Sequence, residues 1–210
     1  MKLKHKVVAV AIASLFAGVV FAQTGSTSKV TVDAINQSQS GLLNKQEMDL
    51  GNAKGGGKSE VTAKNINQSQ SGLLNSQKMA IGNAEGKGSQ SKVNVSNINQ
   101  SQSGLLNKQD MAVGNATGGG KSDVTAKNIN QSQSGLLNAQ KMAIGNADSK
   151  GVSKVNVTNI NQSQSGLLNK QEMAIGNAAN SGKSDVTAKN INQSQSGLLN
   201  DQKMKVGNAN

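Results

Sequence analysis

The chain has 210 residues with 22 basic and 11 acidic side chains, a net charge of +11, and no cysteine, proline, tryptophan or tyrosine. The lack of cysteine excludes disulfides, and all basic residues are lysine or histidine, so the bidentate arginine contacts of sequence-specific nucleic-acid readers are excluded as well. Two phenylalanines are the only aromatic residues, which also argues against base stacking.

The N-terminal segment has the features of a secretory signal peptide. Three lysines precede an apolar run from Val7 to Val20, and small residues lie around Ala22. The run is too short to span a bilayer but fits the apolar core of a cleavable signal. We predict a signal peptide over residues 1–22 and a secreted, extracellular or cell-surface product without membrane insertion. Cleavage near Ala22 would remove both phenylalanines and the only histidine, leaving a net charge of +8.

The rest of the chain is an internal repeat. The phrase INQSQSGLLN occurs six times without change, at spacings of 31 or 32 residues, starting at Ile35, Ile66, Ile98, Ile129, Ile160 and Ile191. A fixed period of this size is typical of solenoids, whose units stack to bury a shared core. We assign residues 23–27 to a short N-terminal segment and residues 28–210 to six units, bounded at 28–58, 59–90, 91–121, 122–152, 153–183 and 184–210.

Each unit is predicted to contain two strands. In the third unit Asn107, Gln109 and Met111 alternate with residues that differ between units, which is the period-2 pattern of a strand with one buried face. The alternation of the preceding strand slips at Asn97, where we expect a bulge or corner. Glycine-rich turns separate the strands. The predicted fold class is all-β, a β-solenoid of six stacked strand–turn–strand coils with an amyloid-like cross-β spacing of about 4.8 Å.

Stacking would align identical amide side chains, so that each amide bonds to those above and below it. The residues predicted to form these ladders in the first and third units are Gln37, Gln39, Asn44, Gln46, Asn52, Gln100, Gln102, Asn107, Gln109 and Asn115. The invariant phrase leaves Asn36, Ser38 and Ser40 facing outward, either as a polar surface for a ligand or for lateral packing of fibrils, or as the result of recent gene conversion. We expect Leu42 and Leu43 to fill the core and the corner, and an exposed leucine column that packs laterally is the alternative.

Charged residues test this register, because equivalent side chains in stacked units become neighbours. Two columns alternate in sign at every step: Glu47, Lys78, Asp110, Lys141, Glu172 and Lys203 in one, and Lys29, Glu60, Lys92, Asp123, Lys154 and Asp185 in the other. Head-to-tail stacking of two molecules would also place oppositely charged residues together, namely Asp33, Lys45 and Asp49 of one molecule against Lys189, Asp201 and Lys205 of the next. We find no capping unit and expect the open strand edges to recruit further copies.

The units resemble those of bacterial functional amyloids, in particular the curlin-type fibre subunits. The resemblance is carried by Gln39-Ser40-Gly41-Leu42-Leu43-Asn44, followed by Gln46, in all six units. This segment is similar to the Gln-x-Gly-x-Gly-Asn and following Gln of curlin strand–turn–strand repeats. The present unit is longer, has leucine in place of the second glycine, and lacks aromatic residues. The resemblance implies the class of an extracellular fibre subunit that aggregates at the cell surface, and it does not imply family membership.

We expect a secreted structural subunit that polymerises head to tail into amyloid-like fibres for a biofilm matrix or for surface adhesion. The alternative is a monomeric β-solenoid adhesin or surface-binding module. We expect no enzyme, cofactor or metal site, because the predicted mature chain has no histidine or cysteine and its acidic residues are dispersed. Besides copies of itself, the partners consistent with the sequence are a nucleator, a secretion channel, and weakly bound extracellular DNA or polysaccharide.

Overall fold

The computed structural model describes residues 16–24 and 27–207, in which every regular element is a β-strand. Most of the predicted signal peptide, residues 1–15, lies outside the described residues. No helix in the described part of the chain is long and apolar enough to cross a membrane. The strands are β1 (Phe16–Thr24), β2 (Thr27–Val32), β3 (Ile35–Lys54), β4 (Lys58–Ile81), β5 (Ala84–Glu85), β6 (Gln90–Val113), β7 (Ala116–Thr117), β8 (Lys121–Ile144), β9 (Val152–Ile175), β10 (Lys183–Gly197) and β11 (Asn200–Val206).

The strands form a parallel sheet in which each coil pairs with the coils before and after it. The pairing order of the long strands is β3-β4-β6-β8-β9-β10, while β2 pairs with β4 and β11 with β9. Identical residues of neighbouring units lie side by side, as Ile66 does with Ile35 and Ile98. The predicted all-β solenoid of six stacked coils is therefore confirmed. We number the coils one to six by their INQSQSGLLN phrases.

Each of coils two to five changes direction at two points within its long strand. β4 is continuous over 24 residues, but its pairing with β6 skips Asn65 and Leu73. Asn65 has a φ of 53°, and the equivalent Asn97 has a φ of 55°. Asparagine enters this left-handed region more readily than most residues, because its short polar side chain can hydrogen-bond locally. The predicted corner at Asn97 is therefore confirmed, and a second corner lies at the Gly-Leu-Leu segment.

The glycine of this second corner is required by the close approach of neighbouring coils. Gly104 has a φ of 145°, and a Cβ atom built on it would lie 1.6 Å from the carbonyl oxygen of Gly72. No side chain fits this position without a backbone shift, and the φ value is one that residues other than glycine rarely adopt. The corner glycines of coils two to six therefore permit the tight spacing of the coils on this side.

The core runs along the solenoid axis between the facing segments of each coil. In coil two, Val61, Ala63, Ile66, Met79 and Ile81 are almost fully buried, and their equivalents in coils three to five are buried to the same extent. Because each coil contributes only a few apolar side chains, their burial depends on the coils on either side. Stability therefore comes from the stacking of coils.

The two ends of the solenoid differ. β1 pairs with residues 45–54 of β3 and so covers part of the first coil, and cleavage near Ala22 would leave only the last two residues of β1. At the other end, no described strand pairs with the outer edge of β10 or β11. Met204 in this last coil is 42% exposed, whereas its equivalent Met142 is completely buried. The last coil thus presents an uncovered backbone edge together with part of the core.

Candidate assembly site

Three columns of glutamines run the length of the solenoid, and all members except the exposed Gln202 are buried or half-buried. Gln100 Nε2 donates to Gln68 Oε1 at 2.8 Å, and Gln131 Nε2 donates to Gln100 Oε1 at 3.0 Å. The amide of each glutamine thus donates to the preceding coil and accepts from the following one. The structure places all six predicted glutamines in these columns, namely Gln37, Gln39, Gln46, Gln100, Gln102 and Gln109. Only another coil with glutamine at the same position can extend such a ladder.

Two asparagine columns complete the predicted set of ladders. Asn107 Nδ2 donates to Asn138 Oδ1 at 2.9 Å, so this column donates toward the following coil, opposite to the glutamines. Asn115 lies between β6 and β7, and its backbone N and its Nδ2 both donate to Asn83 Oδ1, at 2.9 and 3.2 Å. The equivalent bonds in the first coil are made by Asn44 and Asn52. These columns hold the corner and the turn of each coil in register.

Two further asparagine ladders, on the exposed surface, were missed by the sequence analysis. Asn97 Nδ2 donates to Asn65 Oδ1 at 3.0 Å, and Asn130 Nδ2 donates to Asn99 Oδ1 at 3.0 Å. The signal was present in the sequence, because an asparagine precedes and another follows the isoleucine of every coil from the second onward. From the sequence we assign these positions only to a corner and to an outward-facing surface.

The alternating charge columns lie on the solvent side of the coils. Lys78 Nζ lies 3.0 Å from Glu47 Oε1, and Lys29 Nζ lies 3.3 Å from Glu60 Oε2. Register pairing places the remaining predicted members opposite each other, namely Lys78 with Asp110, Asp110 with Lys141, Lys141 with Glu172, Glu172 with Lys203, Glu60 with Lys92, Lys92 with Asp123, Asp123 with Lys154 and Lys154 with Asp185. A third inter-coil pair, Lys54 with Glu85 at 3.1 Å, was not predicted.

The Glu47–Lys78 pair predicts a small dependence of stability on pH. The hydrogen bond from Lys78 and its charge hold the pKa of Glu47 below the usual 4.5. A lowered folded-state pKa stabilises the fold above the unfolded-state value, and that contribution is lost as the pH falls through the folded-state pKa. We expect Glu47→Gln to cost at most about 1 kcal/mol at pH 7, because the pair is partly exposed, and to cost less at pH 3. Urea unfolding of both proteins at the two pH values measures this, and an equal cost at both pH values would contradict it.

The residues predicted to meet at a junction between molecules lie on the first and last coils. Asp33, Lys45 and Asp49 belong to coil one, and Lys189, Asp201 and Lys205 belong to coil six. Within the chain Asp49 pairs in register with Ala80, and Lys205 pairs with Ala174. Burial raises the pKa of Asp49 above 3.8, although the charge of Lys78 opposes this shift. Neither Asp49 nor Lys205 therefore has an oppositely charged register partner within its own chain.

A column of buried serines carries hydroxyl groups without hydrogen-bond partners. Ser59, Ser91, Ser122 and Ser153 are at most 5% exposed, and the Oγ atom of each has no partner in the structure. An unsatisfied buried hydroxyl costs about 1–3 kcal/mol. We therefore expect Ser122→Ala to raise the free energy of unfolding by about 1 kcal/mol, as measured by urea unfolding. Exposed Ser103→Ala is the control, and a loss of stability in Ser122→Ala would indicate a hydrogen bond to its hydroxyl.

The prediction that the leucine pair fills the core and the corner is wrong. Leu73 and Leu74 are both 43% exposed, and the pair is exposed in all six coils. The physical reason is the corner at Gly72, whose φ of 138° changes the chain direction, so the alternation of buried and exposed residues does not continue through it. Burial resumes at Asn75, which is 3% exposed. The alternative, an exposed column of leucines, describes the structure.

Comparison of the chain with protein-family models, with curated proteins and with solved structures finds no match. No group of three or more histidine, cysteine, aspartate or glutamate side chains suited to a metal ion occurs in residues 16–24 and 27–207. The features that bear on function are therefore the ladders, the charge columns and the open edge of the last coil.

Proposed function

We propose that the mature chain is a secreted structural subunit that polymerises head to tail into extracellular amyloid-like fibres, for a biofilm matrix or for surface adhesion. The observation that carries this proposal is the uncovered edge of coil six, where Met204 is 42% exposed and Val206 is 36% exposed. A parallel edge of this kind offers unpaired backbone groups to an incoming strand. The best match for it is the first coil of another copy, since that coil carries the same residues at every ladder position except Ala34, which replaces an exposed asparagine.

An unsatisfied amide in the first coil supports the same contact. Gln46 Nε2 is buried and has no hydrogen-bond partner, whereas every later member of its column donates to the coil before it, as Gln77 does to Gln46 at 2.9 Å. Gln202 is the last member of this column and donates to Gln171 at 3.0 Å. In a head-to-tail junction, Gln202 Oε1 of one molecule would accept from Gln46 Nε2 of the next. The ladder would then continue through the junction, at the edge of coil one that β1 occupies in the uncleaved chain.

Charges favour one register of this junction. Coil six stacked against coil one of the next molecule brings together five pairs of opposite sign: Lys205 with Asp49, Lys189 with Asp33, Lys203 with Glu47, Asp185 with Lys29 and Asp201 with Lys45. Each exposed pair contributes at most about 1 kcal/mol. A slip by one coil would place Lys203 against Lys78, and like charges would repel. The charges therefore act mainly as selectors of register.

The fibre experiment separates this proposal from the alternative of a monomeric binding module. The chain from Gln23 to Asn210 is incubated at neutral pH, and samples are followed by electron microscopy, amyloid-dye binding and fibre diffraction. We expect unbranched fibres with a meridional reflection near 4.8 Å. A chain that folds as a β-protein by circular dichroism but stays monomeric would reject polymerisation and favour an adhesin or other surface-binding module.

The pair Asp49 and Lys205 provides a test of the junction by charge reversal. We expect Lys205→Glu and Asp49→Lys each to slow seeded elongation about threefold to tenfold at 10 mM salt, because each turns an attraction into a repulsion worth about 1 kcal/mol. The double variant restores the opposite signs, so its rate should return to near the wild-type value. At 1 M salt, where the screening length is about 3 Å, the differences should disappear.

The control for this series is Lys121→Glu, which makes the same charge change in an inner coil beside Gln90 and Val152. We expect this variant to elongate at close to the wild-type rate. If the double variant were as slow as the two single effects combined, residues 49 and 205 would not face each other at the junction. That result would reject the proposed register while leaving polymerisation itself to be judged by the fibre experiment.

A further inference from the structure

One face of the solenoid combines two columns of serine with two columns of leucine. We call it the serine–leucine face, and in coil one it consists of Ser38, Ser40, Leu42 and Leu43. The eight leucines of coils two to five are each 42–46% exposed, and those of the end coils are more exposed. Contiguous apolar surface of this kind is uncommon on soluble monomers and typically marks an interaction site.

The face has a groove beside a ridge. An open groove of about 1290 Å³ follows the two serine columns through all six coils, from Ser38 and Ser40 to Ser194 and Ser196. Leu42 and Leu43 of coil one also line this groove, and we call the two exposed leucine columns that continue from them the ridge. Groove and ridge therefore run parallel to each other along the direction in which the coils stack.

The composition of the face indicates what kind of surface can cover it. Residues 36–44 and their equivalents contain no ionisable side chain, and the outward-facing serines and leucines are identical in every coil. Outward positions in the segment that follows the leucines do vary between coils. One such column is Lys45, Ser76, Lys108, Ala139, Lys170 and Asp201. A neutral face that repeats identically with the coils matches a partner that is neutral and has the same repeat. A second solenoid of this chain meets both conditions.

We propose that two filaments pair through the serine–leucine face, with the leucine ridge of each filament seated in the serine groove of the other. This pairing rests on the proposed function, because it needs stacked chains. A twofold axis parallel to the stacking direction exchanges the ridge and the groove across the interface, whereas a twofold axis perpendicular to it within the interface would set ridge against ridge. The paired filaments are therefore parallel and related by an isologous interface.

The size of the face explains why pairing requires polymerisation. Six coils at about 4.8 Å give a length of about 29 Å, and five residue steps at about 3.3 Å give a width of at most about 17 Å, because the corner at Gly41 lies within this segment. The resulting area of at most about 500 Å² is below the roughly 800 Å² per partner that stable complexes bury. Each stacked chain adds the same area, so a filament of several chains exceeds that value. Single molecules should therefore stay unpaired, while filaments should pair along their whole length.

Electron cryomicroscopy of wild-type fibres tests the geometry. We expect two parallel filaments whose leucine ridges interlock with serine grooves about a twofold or pseudo-twofold axis along the fibre. Single wild-type filaments, antiparallel filaments, or a pair joined through another face would overturn the proposal. This measurement uses the unmodified chain, so it does not depend on how any variant folds. If wild-type chains formed no filaments at all, both the proposed function and this pairing would be rejected.

Substitution of the ridge gives the second test. The variant replaces the first leucine of each coil with serine, at Leu42, Leu73, Leu105, Leu136, Leu167 and Leu198. We expect it to form single filaments with half the mass per unit length of the wild-type fibres. The control replaces three outward threonines that precede the asparagine corner, Thr62, Thr125 and Thr187, with asparagine. Coils three and five already carry asparagine at this position. This control should form paired filaments.

Two outcomes of the ridge substitution would overturn the pairing. One is a leucine-to-serine variant whose filaments keep the wild-type mass per length. The other is wild-type protein that stays as single filaments and cosediments with phosphatidylcholine vesicles, while the leucine-to-serine variant does not cosediment. The face would then be a lipid-binding surface. Filaments of the variant that grow at the wild-type rate but remain single would support the pairing and would leave head-to-tail assembly intact.

Discussion

Replacing Gly104 with alanine should disrupt the contact between coils two and three, at a cost of about 3–5 kcal/mol in the free energy of unfolding. Two effects add at this position. The new Cβ would lie 1.6 Å from the carbonyl oxygen of Gly72, and the φ of 145° is in a region that alanine avoids. To remove this clash, the backbone of one coil must move away from the other. That movement would also lengthen the neighbouring hydrogen bond from Asn75 Nδ2 to Asn107 Oδ1, which is 2.9 Å long.

The control for this substitution is Gly119→Asn, in the turn that follows the same coil. Gly119 also has a positive φ, of 83°, but the nearest atom to an added Cβ is 3.6 Å away. Asparagine tolerates positive φ better than most residues, so we expect a cost of about 1 kcal/mol or less. Urea unfolding followed by far-UV circular dichroism measures both, since the predicted mature chain lacks aromatic residues for fluorescence. Equal costs in the two variants would contradict the assigned role of the corner glycine.

Changing Gln109 to glutamate should destabilise the fold by about 3–5 kcal/mol at pH 7, although the two side chains have nearly the same shape. Gln109 is fully buried, donates to Gln77 at 2.8 Å and accepts from Gln140 at 2.8 Å. A carboxylate at position 109 can still accept the hydrogen bond from Gln140. Its other oxygen, however, would lie against the Gln77 oxygen, and its unpaired charge would be buried in the core. The substitution therefore tests whether the amide ladder stabilises the stack.

Acid should partly rescue this variant. Burial raises the pKa of a carboxyl group in the folded state above its unfolded value, so the ionisation penalty is present at neutral pH and is lost as the pH falls below the unfolded value of about 4.3. The difference in urea midpoint between Gln109→Glu and wild type should shrink from pH 7 to pH 3. Asn99→Asp, in an exposed ladder, is the control and should cost about 0.5 kcal/mol or less. A Gln109→Glu variant as stable as this control would show that the ladder contributes little.

The stacked fold follows directly from features visible in the sequence. Because identical residues recur every 31 or 32 positions, a register that places Ile66 between Ile35 and Ile98 aligns every amide and every alternating charge at once. No other register satisfies all of these columns. The corner at Asn97 was also predictable, since the hydrophobic alternation slips by one residue at that point.

The surface was harder to predict, because it depends on backbone angles that residue spacing does not encode. Leu73 and Leu74 follow Gly72, whose φ of 138° changes the chain direction, and counting alternate residues through this corner gives the wrong side for one leucine. The unpartnered hydroxyl of Ser122 was missed for a related reason. It lies buried near Gly114, and the sequence alone does not show which residues face each other across the coil.

The alternating charge columns imply a parity rule for the chain. Their sign pattern repeats every second coil, from Glu47 through Lys78 to Asp110, so a stack with an even number of coils ends on the sign opposite to the one on which it began. In the proposed head-to-tail assembly, loss or gain of a single coil would set like charges against each other at the junction. Loss or gain of two coils would preserve the alternation, so the length of a chain of this kind should change in steps of two coils.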